Sequence, residues 1–343
     1  MQGGRTYRFS FLLMVLALLC SWLLNISSGS VTIPFADMLS TLFGESPEIA
    51  SWEYIIWDYR VPKAFTSILV GAGLALSGLL MQTLFRNPLA GPFVLGISSG
   101  ASLGAALLLM GTSILAGYTS LSFLGDITLS IASSFGSFLV LLIVMIVAQR
   151  VKDTMALLII GLMFGSITSA IVSVLAYFSS AEDLQRFNFW SFGSVGNLSI
   201  NQLFLLGSIV AVGVLLSIVS IKSLNAFLLG ENYARSLGVS LKKSRMTIII
   251  ATGLLAGGIT AFAGPIAFVG LAVPHLTRQI FDTMEHKVLI PAVMLSGAIL
   301  MLLCDTLAQL PNSASVLPIN AITSLVGAPV VIWLLVRKRK MMF

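Results

Sequence analysis

The chain has 343 residues, of which 57% are hydrophobic and only 9% charged, with a mean hydropathy of +1.01. A soluble domain carries roughly 25% charged residues, so water is excluded as the main solvent of this one. The net charge of +6 comes from 19 Lys and Arg against 13 Asp and Glu, and because the basic residues sit in short loops between apolar runs they report membrane orientation rather than nucleic-acid binding.

A hydrocarbon core about 30 Å thick takes roughly 20 apolar residues per helix. The apolar runs and their breakers accordingly predict an all-α integral membrane protein of about ten transmembrane helices, with residues 1–343 forming a single transmembrane domain. The spans fall near 9–26, 62–84, 92–112, 127–148, 154–178, 201–221, 245–264, 266–282, 289–308 and 321–336. Arg5 and Arg8 before apolar Phe9 to Leu24 also have the layout of a secretory signal, but the apolar runs that follow favour an uncleaved first span. Between the fifth and sixth spans, Ser179 to Asn201 starts polar and carries Phe187, Phe189 and Trp190, residues suited to a short half-buried helix at the membrane interface.

Ten spans put both termini in the cytoplasm. All 19 Lys and Arg except Arg60, Lys63 and Arg186 then lie on cytoplasmic segments, while Asp37, Glu45, Glu48, Glu53, Asp58, Asp126, Glu182 and Asp183 lie outside, as the positive-inside rule requires. Removing one span would carry the basic tail Arg337 to Lys340 to the outer face. Cys20 and Cys304 each sit in an apolar run as small hydrophobes and indicate no disulfide or metal.

Gly73-Leu74-Ala75-Leu76-Ser77-Gly78, followed by Ala90-Gly91-Pro92, is echoed by Gly253-Leu254-Leu255-Ala256-Gly257-Gly258, followed by Ala263-Gly264-Pro265. The copies lie in the second and seventh spans, five spans apart, and so cross the membrane in opposite senses, the trace of an inverted internal repeat. Small residues let helices approach closely. The breakers are more telling, because broken helices at membrane depth are tolerated only where they are buried or line a water-filled path. Asn87, Pro88, Gly91, Pro92, Gly96, Gly264 and Pro265 are the resulting pathway or gate candidates.

The longest cytoplasmic connection, Lys222 to Arg245, contains a short amphipathic helix at about 229–239, started by Gly230 and ended by Gly238 as a C-terminal cap. It reads either as a linker helix on the inner leaflet or as a helix that docks in a groove of a cytoplasmic partner. Asp305, near the outer end of the ninth span, is a functional candidate by its depth, although packing or a helix-end role suits it better. His275, after Pro274, reads as a hydrogen-bonded structural histidine rather than a gate. His275 and His286, without a His-Glu-x-x-His pattern, form no zinc site.

Gly230-Glu231, then Asn232-Tyr233, then Ala234-Arg235-Ser236-Leu237-Gly238-Val239 resembles the coupling-helix signature of the FecCD family, the type II importer permeases for iron-siderophores, haem and vitamin B12. Further landmarks agree in order along nearly the whole chain. They are Arg60-Val61-Pro62-Lys63, Gly71 to Gly78 running to Gln82, Phe85-Arg86-Asn87-Pro88-Leu89-Ala90, Leu95 to Ala101, Gly264 to His275, and Leu317-Pro318-Ile319 leading to Gly327-Ala328-Pro329.

The resemblance implies a permease subunit of an ATP-binding-cassette importer in a bacterial cytoplasmic (inner) membrane. It would pair with a second permease copy, identical or similar, and carry an iron chelate along the dimer interface, with a ferric siderophore expected ahead of haem or cobalamin. Two ATPase subunits would hold ATP-Mg and bind the coupling helices, and an extracytoplasmic binding protein would deliver the chelate. In relatives, basic residues before the second span meet glutamates of the binding protein, and Arg60 and Lys63 match them; the alternative is that they anchor the span at the headgroups. Gln309 stands where relatives usually carry another arginine.

No Gly-Lys dipeptide occurs, so no P-loop is present and the ATPase is a separate chain. The permease itself is neither an enzyme nor a holder of a cofactor or metal on this reading. The alternative is a secondary transporter or channel not driven by ATP, which the repeat and the broken helices also suit. That class usually needs several ionisable residues deep in its spans, and here Asp305 is the only carboxylate within the expected spans apart from residues at their edges.

Overall fold

The computed structural model describes residues 3–111, 126–151, 154–309 and 315–336, all helix and connecting segments. Helix α1 runs Gly3–Ser27, α2 is a short amphipathic Phe35–Leu42, and α3 is a 35-residue rod, Ala50–Leu84. Next come α4 (Ile97–Leu109), α5 (Asp126–Arg150), α6 (Thr154–Phe178), α7 (Ala181–Ser191) and α8 (Ile200–Val219). The short α9 (Ile221–Leu228) and α10 (Glu231–Ser236) lead into α11 (Leu241–Ala263). The chain continues through α12 (Val269–Phe281), α13 (His286–Ala308) and α14 (Ile319–Val336).

Seven of these, α1, α3, α5, α6, α8, α11 and α13, are long and apolar enough to cross a membrane. The other three expected spans fall on shorter helices, and two of them differ from expectation in form. The span expected at 92–112 begins as a single 3-10 turn, Pro92–Leu95, reverses at left-handed Gly96 and only then becomes α4. The span expected at 266–282 starts three residues later, because Gly264 and Phe268 both have positive φ (74° and 65°) and hold the intervening backbone out of helix. Pro265 cannot donate to a helix ladder in any case. Conversely, α3 starts well before residue 62, its Ile55–Arg60 segment being wound as a π turn.

The two repeat copies occupy equivalent places. Gly73 to Gly78 lies in α3 and Gly253 to Gly258 in α11; each long helix is followed by a break with a left-handed residue and then by a helix of 13 residues. The interfacial helix expected in 179–201 is α7, opened by Ser180, whose hydroxyl accepts from the Asp183 amide at 3.2 Å. That is the cap expected of serine before acidic first-turn residues.

Around α3 the bundle is assembled. It runs antiparallel to α13, with Lys63 opposite Asp305, Gly71 against Gly297 and Thr83 against His286. It runs parallel to α12, with Gly78 against Gly270 and Gln82 bonded to Arg278. Nearly all of α3 from Val70 to Leu84 is buried. Lipid tails are as apolar as leucine, so this burial stabilises through close packing and not through removal from water. By contrast α6 and α8 turn Ile159, Ile167, Val174, Phe204 and Leu215 outward, toward lipid or a neighbouring chain.

Candidate functional site

Two ends of the bundle carry the polar chemistry. At the end expected to face outward, a cavity of about 600 Å³ opens between the α1–α2 connection, α3, the segment after α7 and the end of α13. Its wall is mostly apolar, with hydroxyls and amides from Ser28, Ser30, Ser194 and Asn197 and aromatic panels from Tyr59, Phe189 and Phe192.

Arg60 and Lys63 both line this cavity, but their charges are engaged within the chain. The Arg60 side chain is buried, and Nη1 donates to the carbonyls of Ile26 (2.7 Å) and Ser27 (3.1 Å) while Nη2 donates to that of Val31. A guanidinium with its fork of donors can close several of the carbonyls left open where a helix ends, so Arg60 caps α1. Lys63 is 3.1 Å from the Asp305 carboxylate, with 19% of its side chain exposed against 2% for Asp305. Asp305 also accepts from Asn25 Nδ2 (2.8 Å) and Gln309 Nε2 (2.9 Å). The helix-end role expected for Asp305 is therefore a buried polar node joining α1, α3 and α13, and Gln309 is one of its donors.

Asp305→Ala would leave the mostly buried Lys63 without its counter-charge and take from Asn25 one of three acceptors, the Leu302 carbonyl and the Thr306 hydroxyl remaining. Removing one partner of a buried pair costs about 3–5 kcal/mol, and partial exposure of Lys63 puts the expected loss near the lower figure, about 3 kcal/mol. The check is thermal unfolding of the detergent-solubilised variant against wild type, and an unchanged midpoint would rule out the node.

At the opposite end, α10 stands as a single exposed turn and a half. Gly230 (φ 101°) starts it, and Gly238 (φ 78°) ends it. Gly238 donates to the Arg235 carbonyl and Val239 to that of Ala234, both at 3.0 Å, the paired reversal that glycine alone adopts without strain. The expected helix of about 229–239 is thus helical over its middle six residues.

The two faces of α10 differ. Ala234 is fully buried on the inner face, and Glu231 forms an ion pair with Arg245 at the start of α11. Asn232, Tyr233, Arg235, Ser236 and Leu237 are exposed. A tyrosine, an arginine and a leucine presented together on a tightly held helix have the composition of an interface centre. The pair Glu231–Arg245 spans fourteen positions and leaves no local sequence signal.

The breakers collect around α3. Asn87 and Pro88 lie in the turn that follows it, where Arg86 has φ 48° and the Asn87 amide donates to the Gln82 carbonyl at 3.1 Å. Gly91, Pro92 and Gly96 lead into α4; an added Cβ on Gly96 would sit 2.9 Å from the Gly161 carbonyl of α6. Gly264 and Pro265 pack beside the segment after α7, with the Ser194 amide donating to the Ala263 carbonyl at 2.9 Å. His275 is half-buried in α12, whereas the hydrogen-bonded histidine is His286, whose ring nitrogens meet Thr83 Oγ1 (2.8 Å) and Asn225 Oδ1 (2.7 Å). Among the described residues no three His, Cys, Asp or Glu side chains converge as metal ligands.

The model of the FecCD transport family matches residues 16–337. A vitamin B12 import system permease protein, BtuC, of Klebsiella pneumoniae is 38% identical over 340 residues, covering 99% of this chain and 96% of that one. BtuC of Salmonella typhi is 37% identical over 340 residues, covering 99% and 98%. Among solved structures, a metal-chelate type ABC transporter in an inward-facing conformation superposes with a TM-score of 0.80 at 29% identity, covering 97% of this chain and all of the other.

Proposed function

This chain belongs to the FecCD transport family of ABC importer permeases, and from that membership we propose that it carries vitamin B12, or a closely similar corrinoid, across a bacterial cytoplasmic membrane. The single observation behind the substrate is 38% identity, over 99% of the chain, to a permease named for vitamin B12 import. The ferric siderophore expected from the sequence rested on how common such permeases are, and these relatives give it no support. Hydroxyl and amide groups on the outer cavity wall suit a corrinoid, whose rim is made of amides, and of the two basic residues there Lys63 is paired with Asp305 while Arg60 is held by backbone carbonyls.

The working assembly on this proposal has a second permease copy, two ATPase subunits holding ATP-Mg, and an extracytoplasmic binding protein. Gly230 to Gly238, with Tyr233 and Arg235 foremost, form the contact with the ATPase. Arg60 and Lys63 lie at the outer rim, where the binding protein would dock; there Lys63 meets an incoming carboxylate only by exchanging it for Asp305. ATP binding draws the ATPase subunits together, the α10 helices move with them, and the breaks at Asn87-Pro88 and Gly264-Pro265 let the spans part around the substrate.

The test is uptake of radiolabelled cyanocobalamin into proteoliposomes that contain the permease, its ATPase subunits and its binding protein, with a ferric siderophore as the competing substrate. Cyanocobalamin uptake that needs ATP and all partners supports the proposal. Uptake of the siderophore alone would overturn the substrate. Solute movement down a gradient without ATPase subunits would restore the secondary-transporter alternative.

A further inference from the structure

His286 begins α13 and is fully buried. Its ring bridges two other elements, Thr83 in the last turn of α3 and Asn225 in the middle of α9, at 2.8 and 2.7 Å. Asn225 Oδ1 also accepts from the His286 backbone amide at 3.0 Å. That amide can only donate, so Oδ1 is the acceptor and Nδ1 of the ring carries the proton. In the neutral ring Nε2 is then an acceptor 2.8 Å from the Thr83 hydroxyl, whose single proton is shared with the Leu79 carbonyl, to which it donates at 2.9 Å.

Three helices therefore meet at one ring. Directly C-terminal to α9 stands α10, across the Leu229-Gly230 turn, and Arg86, three residues beyond Thr83, lies beside Gly230: an added Cβ there would be 3.6 Å from Arg86 Nη1. One residue before Thr83, Gln82 accepts from Arg278 Nη1 (2.8 Å) and donates to the Leu271 carbonyl (3.1 Å), which fastens the same turn of α3 to α12.

Hydrogen bonds are directional, and a buried one that slips strands a donor or acceptor away from water; apolar contacts at the same place would slide at little cost. A displacement of α9 thus has to carry the start of α13 and the end of α3 with it. We propose that Asn225, His286 and Thr83 are positioning residues that form the joint by which movement of α10 reaches α3 and the Asn87-Pro88 turn. The proposal rests on the ATPase-coupling reading above and adds to it the part of the permease that transmits the movement.

The test uses the full assembly in proteoliposomes, with ATP hydrolysis and cyanocobalamin uptake read from the same vesicles. Thr83→Val removes the hydroxyl while keeping the shape, Asn225→Leu removes the acceptor, and Asn225→Asp keeps it. The expected result is at least a fivefold fall in cyanocobalamin taken up per ATP for Thr83→Val and Asn225→Leu. ATPase stoichiometry and hydrolysis rate should stay within twofold of wild type, as should uptake per ATP for Asn225→Asp. An unchanged ratio in the first two variants would overturn the joint. So would a parallel fall of uptake, hydrolysis and melting temperature, which is the mark of a purely structural clamp. A wild-type chain that binds no ATPase would overturn the importer reading itself, and the joint with it.

Discussion

Gly78→Ala should abolish the folded permease, the largest effect expected of a single added methyl group among the described glycines. A Cβ at Gly78 would lie 1.6 Å from the carbonyl oxygen of Gly270 and 2.7 Å from its Cα. The obstacle is backbone on a neighbouring helix, so no rotamer change relieves it, and α3 and α12 have to separate. Overpacking typically costs about 1–3 kcal/mol where side chains can adjust; here the expected cost exceeds about 3 kcal/mol, a large share of the roughly 5–15 kcal/mol that holds a typical protein folded. Gly207→Ala is the matched control, since its Cβ would only touch Leu69 Cδ1 at 3.7 Å. Detergent-extracted yield and size-exclusion profile should collapse for Gly78→Ala and stay as wild type for Gly207→Ala. A monodisperse Gly78→Ala protein would show that the α3–α12 crossing is looser than described.

The second large effect is expected at α10. Exposed Tyr233 and Arg235 are anchored from beneath by Ala234 and by the Glu231–Arg245 pair, so truncating them removes contact surface without disturbing the helix. Interface centres of this kind lose about 2 kcal/mol or more on truncation, roughly a thirtyfold weakening or greater. Tyr233→Ala with Arg235→Glu should therefore abolish co-purification of the ATPase subunits, with yield and melting temperature of the permease unchanged. Glu231→Ala should act differently, loosening α10 from α11 and lowering coupling before it lowers binding. If the double variant retained its ATPase subunits at wild-type stoichiometry, α10 would not be the contact.

What the sequence reveals of this fold depends on how local the cause is. The long spans are legible because twenty apolar residues between polar flanks leave one solution in a bilayer, and the end expected at 178 is where α6 stops. The Gly238 cap is legible for the same reason, since the reversal needs a left-handed residue at a fixed place. The breaks at 92–96 and 264–268 were visible as Ala-Gly-Pro, yet the helix length they leave was not, because Phe268 adopts a positive φ that its own side chain does not favour.

Least legible were the charges. Arg60 and Lys63 look alike in a loop before a span, and only the folded chain shows that one caps the end of α1 and the other pairs with a carboxylate more than 240 residues away. His286 attracted no motif because Thr83 and Asn225 reach it from different helices. Such partners are set by packing, and no spacing rule in the sequence encodes them.

The position of α3 at the centre of the bundle also has a consequence in time. Its partners at Gly270 and Gly297 are made roughly 190–230 residues after Gly78 and Gly71, which at about 5–20 residues per second is on the order of 10–45 s of synthesis. Through that interval the small-residue faces of α3, cut to receive the backbones of α12 and α13, have only lipid or the insertion machinery against them. The 13-residue α12, about 20 Å long at roughly 1.5 Å per residue, is too short to cross a 30 Å core on its own hydrophobicity. Biogenesis thus leaves the scaffold's most closely fitted helix waiting for one of its least insertable ones, which makes the last third of the chain the step that commits the whole permease.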